Sequence, residues 1–434
     1  MKEMYDLIVI GGGTAGCAAA YTAGKLGLNT LIIEKGGCLG GSMTAGLVVP
    51  AMKSSENQIN TVFFSDLIFE MKKFNSQISY QNNPGWFNPE ILKIALDTMI
   101  LNAGVDVLFD TSILSVNHTE KHIKSIVIPK EILSPYNYPI QDDNKLLSVN
   151  IGARYVVDST GNCEFGKILN CKFLDEEKNL QPFSLRFIMS GIDLSEFSEW
   201  IMDYDTDREV TTSEVIDGCL HLSTAYTWDN SRKWALDSLF KDAVKRGVLK
   251  PSDTNYFQVF TVPGMPSSLA FNCPRLVDET ANLDVQCISN SLIAGRAAIY
   301  RLSEFCKSYF PGFKNAYISN ISDMLGIRAS RRIRGKYVYT LQDIIEGKKF
   351  KNPVAISNYP VDVHSKDKDG STLRKVQEYQ IPIESLMSED YENLFIAGRC
   401  ISCDSMAQGA IRVQPTCFSM GEGVAKYISG LISL

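Results

Sequence analysis

Residues 7–10 are uniformly apolar and lead into three glycines, the pattern of a short strand buried on both faces. The small residues Ala15, Ala18, Ala19 and Ala20 predict a slim helix next, and residues 29–33 read as a second strand. Residues 89–104 carry helical apolar spacing and stop at a glycine. Residues 105–109, 113–116 and 123–128 run or alternate as strands do, and 130–145 form a polar stretch with two prolines, expected as an exposed excursion. Residues 153–166 begin as a strand and end in Asp158-Ser159-Thr160-Gly161. From about 175 to 384 the pattern changes. Short β-like runs (184–189, 257–262, 269–272) sit among helical stretches near 290–307 and 313–326. Residues 393–397 form another apolar strand, and 416–434 a last helix. The pattern predicts an α/β chain: a Rossmann-like domain from both chain ends (1–55, 105–174, 385–434), a bridging helical segment (56–104) and an inserted mixed α+β substrate domain (175–384).

Glycines at 11, 13 and 16 fit G-x-G-x-x-G directly behind the first strand. The first allows a sharp turn, the second allows backbone N–H groups to approach a pyrophosphate, and the third allows the helix to pack on the sheet. Thr14 and Ala15 begin that helix, whose amino end suits a phosphate. Glu34, with Lys35 beside it, closes the second strand, 23 positions after Gly11. A carboxylate there accepts from both hydroxyls of an adenosine ribose and repels a 2′-phosphate. Strand, glycines, helix, strand and acid in this order point to a dinucleotide.

The 434 residues are 45% hydrophobic with a net charge of −6, which argues for a globular protein and against nucleic acid as the main partner. No apolar run reaches the length of a membrane span, and eleven scattered cysteines fit free thiols in a reducing cytoplasm.

A second glycine cluster, Gly36 to Gly46, follows Glu34 at once, and Gly398 and Pro415 stand past a strand near the other chain end. Small residues here suit backbone held against an extended cofactor, and a late helix amino end suits the edge of a reduced flavin. At this point the chain resembles the bacterial FAD-dependent oxidoreductases related to the fumarate reductase and glutathione reductase flavoproteins. The pieces that carry the resemblance are Gly11–Gly16 with Glu34, then Gly40-Gly41 with Thr44-Ala45-Gly46, and VVDSTGN at 156–162. GIRASRRIRG at 326–335, YPVDVH at 359–364 and NLFIAGRCIS with AIRVQPTC inside 393–417 complete them. The resemblance implies FAD held by Gly11, Gly13, Thr14, Ala15, Gly16, Glu34, Lys35, Gly40, Gly41, Ser42, Thr44, Thr160, Gly161, Gly398, Arg399, Val413 and Thr416. The family's A-T-G-D is Ser159-Thr160-Gly161-Asn162 here, so the acid's role is left open.

Arg328, Arg331 and Arg332 share one face if their stretch is helical, as a fork for an anion or as an ion-paired surface. Arg399 and Arg412 flank the last cofactor segment. His364 is the candidate for proton transfer, with a structural histidine as the alternative; His118 and His122 fall in a polar turn between strands and are expected at the surface, and His221 lacks a motif. No histidine stands near the first glycine loops, which favours non-covalent FAD. Cys400-x-x-Cys403 has no second pair for a metal and stands far from the early position of a disulfide-reductase pair, so packed thiols are expected. With no second glycine fingerprint, electrons come from substrate or from an external donor or acceptor. The sequence thus predicts an FAD-dependent oxidoreductase that moves a hydride to or from a carbon of a small polar or anionic substrate, with Arg328, Arg331 and His364 as its catalytic residues. A tRNA-modifying flavoprotein and a non-catalytic electron-transfer subunit stand as alternatives, and the oligomeric state is open.

Overall fold

The apolar tetrad lies within a strand, Met4–Ile10, whose Leu7, Ile8 and Val9 are fully buried. Such a strand needs cover on both faces, which a parallel sheet between helices provides. The computed structural model describes residues 1–130, 141–142, 145–146, 148–174, 181–225, 234–254, 256–276, 283–363 and 372–434. In it, Met4–Ile10 pairs in parallel with Thr30–Ile33 on one side and Ser148–Asp158 on the other, and Asp106–Leu108 extends the sheet beyond Thr30–Ile33. Ser148–Asp158 has two partners along its length. Residues 148–152 run antiparallel to His122–Pro129, which carries Ser115–Thr119 outside it. Residues 156–158 run parallel to Leu394–Ile396. The two chain ends therefore meet in one sheet.

The first helix, Thr14–Lys25, is slim for a reason outside itself. The last helix, Gln414–Ser433, crosses it so closely that a β-carbon on Gly421 would stand 2.1 Å from the Ala15 carbonyl oxygen. The helix Pro89–Asn102 matches its predicted span, and its start is fixed by Asn88, whose side chain accepts from the Glu90 and Ile91 N–H groups.

A second, antiparallel sheet has six strands in the order Thr211–Ile216, Cys219–Ala225, Gln258–Val262, Met265–Phe271, Phe187–Ser190, Tyr317–Ile321. Its side chains alternate between two cores. Phe187, Met189, Val259, Leu269 and Phe271 face a core shared with Phe305, Phe310 and Phe313, whereas Ile188, Val262 and Ala270 belong to the core of the first sheet. One face of this sheet is thus turned toward the dinucleotide fingerprint. The first core also takes in Tyr339, Ile344, Val354, Tyr379 and Ile381, so the stretch after about 333 packs with the first sheet.

One expected helix is absent, and the helical condition set on the arginine stretch is not met. Residues 313–326 hold the strand Tyr317–Ile321, which pairs with Phe187–Ser190; the turn at Gly312 (φ 82°) ends the long helix Val285–Tyr309 and redirects the chain into the sheet edge. Residues 326–335 form isolated bridges instead of a helix: Gly326 with Ser184, Ile333 with Phe173 and Gly335 with Ser388. The three arginines therefore do not share a helical face. The polar stretch 130–145 lies mostly outside the described residues, and His364 lies outside them entirely.

Candidate functional site

The glycine fingerprint has the geometry its spacing implies. Gly11 turns out of the strand at φ 95°, donates its N–H to the Ile33 carbonyl and packs against Ser159 so tightly that a β-carbon would stand 2.9 Å from Ser159 backbone atoms. A β-carbon on Gly16 would stand 2.0 Å from the Gly11 carbonyl oxygen, so only glycine fits where the helix leaves the strand. Gly13 is different: its β-carbon would meet only the Ser159 carbonyl oxygen, at 3.9 Å. It caps Thr14–Lys25 without a side chain, leaving the first-turn N–H groups free of a capping partner. That open, uncapped end faces a cavity of about 560 Å³.

Of the predicted cofactor residues, Gly13, Thr14, Ala15, Gly41, Ser42, Thr160, Gly161, Gly398, Arg399 and Val413 line this cavity. Gly11, Gly16, Gly40 and Thr44 shape it from behind. Gly40 (φ 95°) donates its N–H to the Gly12 carbonyl, and the buried Thr44 hydroxyl donates to the Leu39 carbonyl. Thr416 is also buried, its hydroxyl bonded to Ser357. Glu34 accepts from the N–H groups of Gly12 (2.6 Å) and Gly36 (2.7 Å), tying the two glycine loops together. Lys35 is an exposed partner of Glu164 at 2.7 Å.

The departure from A-T-G-D has a structural account. The Ser159 hydroxyl donates to the Ile10 and Gly11 carbonyls, holding the fingerprint turn. Asn162 accepts from Arg399 through its Oδ1 at 2.8 Å, while Arg399 also donates to the carbonyls of Gly161 (2.8 Å) and Ile327 (2.6 Å). Arg399 thus spends its guanidinium on joining three chain segments at the cavity wall. Buried Asp158 accepts from Thr160 N–H and hydroxyl and from Gly166 N–H, and burial holds its carboxyl above the ordinary value.

The far end of the cavity lies under the second sheet. Gln258, Phe260 and Asn272 reach it from that sheet, with Tyr256, Arg186, Arg275, Arg328, Tyr359, Asp362 and Arg412 around them. Sequence reasoning missed Arg186, Tyr256 and Gln258, which carry no local motif; Gln258 opens a strand of the second sheet, and Arg186 and Tyr256 flank strands that pair with distant segments. Arg275 stacks on Tyr256, its guanidinium carbon 4.4 Å from the ring centroid. Arg412 donates to Gln181 (3.0 Å) and to the carbonyls of Arg328 (3.0 Å) and Asp362 (2.8 Å). Arg328 donates to the Pro182 carbonyl at 2.8 Å. Burial, then repulsion by Arg186, Arg275 and Arg412, holds the Arg328 guanidinium well below its ordinary value. Arg331 and Arg332 do not line the cavity; Arg332 is buried behind it.

A family model described as FAD dependent oxidoreductase matches residues 6–429. The chain belongs to that family. Its sheet is the Rossmann-like FAD-binding domain, and FAD is its cofactor. The residues fit this group: an uncapped helix end, a glycine without neighbours on its open side, and the buried Gln414 Oε1, which lines the cavity without a hydrogen-bond partner. Among solved structures the chain is similar to a geranylgeranyl bacteriochlorophyll reductase-like protein from Thermoplasma acidophilum (14% identity, TM-score 0.47, 99% of this chain and 79% of that one). It is also similar to p-nitrophenol 4-monooxygenase from Pseudomonas putida (8%, 0.46, 100% and 81%) and to a flavin-dependent brominase (12%, 0.46, 99% and 80%). Likenesses this remote carry no argument about the reaction. Among the described residues no helix is long and apolar enough to cross a membrane.

Proposed function

We propose that this FAD-dependent oxidoreductase moves a hydride between the flavin and a carbon centre of a small polar or anionic substrate. The observation that carries this reading is one continuous cavity with two chemically different ends: uncapped helix N–H groups and glycines at Gly13 and Gly41, and arginines and tyrosines at Arg328, Tyr359 and Arg412. We take the first end as the seat of the dinucleotide and the second, under the antiparallel sheet, as the substrate chamber. In this reading the parts of the chain built around the core of Phe187 and Phe271 act as the cap. Kinship with the fumarate reductase and glutathione reductase flavoproteins belongs to the same reading and is supported by the fingerprint and by the parallel strand Leu394–Ile396 returning from the far chain end.

Bound FAD supplies a two-electron centre at its N5, which exchanges a hydride with carbon. The chain's own residues then have these tasks. Gly13, Thr14 and the first-turn N–H groups hold the pyrophosphate, and Glu34 holds the ribose. Val413 and Gln414 open the last helix, whose positive amino end would stabilise a reduced flavin bound in this cavity. Arg328 and Arg412 orient the substrate. The accompanying proton falls to His364 or to Tyr359, whose hydroxyl lies 3.4 Å from Asp362 Oδ2 and whose burial raises its pKa and keeps it protonated.

The test is anaerobic mixing of the yellow protein with a panel of small acids, sugars and enoates, followed by absorbance. Bleaching by a reduced substrate, or reoxidation of reduced protein by an enoate, is the expected outcome. Arg328→Lys should raise the half-saturating concentration more than it lowers the rate at saturation. A protein that passes electrons only to another protein, and none to or from any small molecule, overturns the reading.

A further inference from the structure

Resting on the reading that seats FAD between Gly13 and the chamber, we propose that Gln414 recognises the flavin ring itself, its side-chain oxygen accepting from the ring's imide N–H. Gln414 is the first residue of the last helix and is 7% exposed. Its Nε2 donates to the Val48 carbonyl at 2.9 Å. That bond orients the amide, because turning it over would set its oxygen against another carbonyl oxygen. Oε1 is left buried and without a hydrogen-bond partner among the described residues, and Gln414 and Val48 both line the cavity. An acceptor buried without a donor is costly to keep, so what fills the cavity has to bring one.

The part of FAD that meets Gln414 follows from the order of the wall. Glu34 and its partners Gly12 and Gly36 stand outside the cavity lining, so the adenosine end lies beyond Gly13. Val48 belongs to the other side: its N–H donates to the Ser42 carbonyl at 2.8 Å, and Val49 and Pro50 continue the wall from there. The polar edge of an oxidised flavin ring carries acceptors and one donor, the N3–H between its two carbonyls. The helix opening holds the complementary set. Its first-turn N–H groups have no side-chain cap; Pro415 lacks one, and those of Gln414 and Thr416 remain, next to the acceptor Oε1. Donors beside an acceptor match a carbonyl beside an N–H, a pair that the ribityl hydroxyls do not offer. The crossing with the first helix holds this opening in place, since a β-carbon on Gly421 would stand 2.1 Å from the carbonyl oxygen of Ala15, which lines the same cavity.

The full chain, freed of flavin, is titrated with FAD and with FAD methylated at N3, with quenching of the flavin fluorescence as the readout. Methylation removes the donor, leaves Oε1 unpaired and sets bulk against it, so the wild type should bind the methylated cofactor about ten- to a hundredfold more weakly than FAD. Gln414→Ala removes the acceptor and opens room for the methyl group. It should bring the two affinities within about threefold of each other, while binding FAD about three- to tenfold more weakly than the wild type does. Equal affinity of the wild type for both flavins overturns the proposal, and so does a preference that survives Gln414→Ala unchanged. Should that variant fail to fold, the wild-type holoprotein carrying FAD labelled with heavy nitrogen decides by magnetic resonance. An N3 proton shifted downfield of free FAD and slow to exchange with water supports the proposal; one that exchanges as in free FAD overturns it. These readouts are of flavin binding. A protein that discriminates against methylated FAD yet exchanges no hydride with any small molecule therefore sinks the reaction and keeps the role of Gln414; hydride exchange without that discrimination does the reverse.

Discussion

The carbonyl oxygen of Gly11 lies 2.0 Å from where a β-carbon on Gly16 would stand, whereas a β-carbon on Gly13 would meet nothing nearer than 3.9 Å. The two glycines of one motif are therefore required for different reasons, one by the chain and one by what binds to it. Gly16→Ala must push the helix off the strand and should lose several kcal/mol of stability or fail to fold. Gly13→Ala should leave the apoprotein's urea midpoint nearly unchanged and weaken FAD by tenfold or more, because the new methyl occupies the pyrophosphate's place. Unfolding of both apoproteins and FAD fluorescence titration separate the two. Equal loss of stability in both would mean that Gly13 also serves the scaffold.

How much of this was legible beforehand follows from where each signal resides. The fingerprint, Glu34 and the strand at 394–396 were legible because their chemistry is local: spacing and apolar runs describe the turn and the buried strand directly. The helix Pro89–Asn102 was legible from its period and from the glycine that follows it. The arginines of 326–335 share a face only if that stretch is helical, a condition the sequence does not decide; each of its bridges is to a distant segment, Ser184, Phe173 or Ser388, and no local pattern encodes those partners. Arg186 and Tyr256 were invisible for the same reason. Arg186 is placed by the strands on either side of it, which pair with segments more than seventy residues away, Tyr256 stands just before the strand Gln258–Val262, and neither belongs to a motif.

Glu34 joins the two glycine loops through Gly12 N–H and Gly36 N–H, and each carboxylate oxygen keeps a lone pair for a ribose hydroxyl. Glu34→Ala should therefore weaken FAD by tenfold or more, since each charge-assisted bond contributes about 1.5–3 kcal/mol. Glu34→Gln keeps one acceptor and should lose less. Both effects are read by equilibrium dialysis of the flavin. Unchanged affinity in Glu34→Ala would place the adenosine elsewhere.

Arg399 holds Gly161, Asn162 and Ile327 in one place. Arg399→Met should remove these three hydrogen bonds and a longer one to the Ser330 hydroxyl (3.3 Å), and lower stability by about 2–5 kcal/mol. Asn162→Ala should cost about 1–2 kcal/mol, and the double variant less than the sum, because the two side chains share one bond. Urea unfolding of the three apoproteins measures the coupling. Strict additivity would mean that the Arg399–Asn162 contact contributes nothing.

FAD should be held without a covalent bond. Acid precipitation of the yellow protein should carry the colour into the supernatant, and absorbance of supernatant and pellet decides it. Colour retained in the pellet would identify a link to a side chain of the cavity wall, with Cys417 the first to test.

Cys400 and Cys403 are both fully buried, six of the other nine cysteines are buried, and Cys38, Cys219 and Cys287 reach the surface. Burial pushes the thiols of Cys17, Cys171, Cys403 and Cys417 up to about 12. At pH 8 so little thiolate forms at these sites that, with access also blocked, a thiol reagent should titrate three cysteines in the native protein. In denaturant the sites return to roughly 8.5 and all eleven should react. The same burial bears on electron count. If Cys400 and Cys403 are packed thiols, anaerobic reduction of the oxidised protein should consume two electrons per FAD, with the oxidised flavin band lost in one phase. Consumption of four electrons, with two thiols appearing as the second pair is taken up, would make them a disulfide in exchange with the cofactor and overturn their assignment to the core.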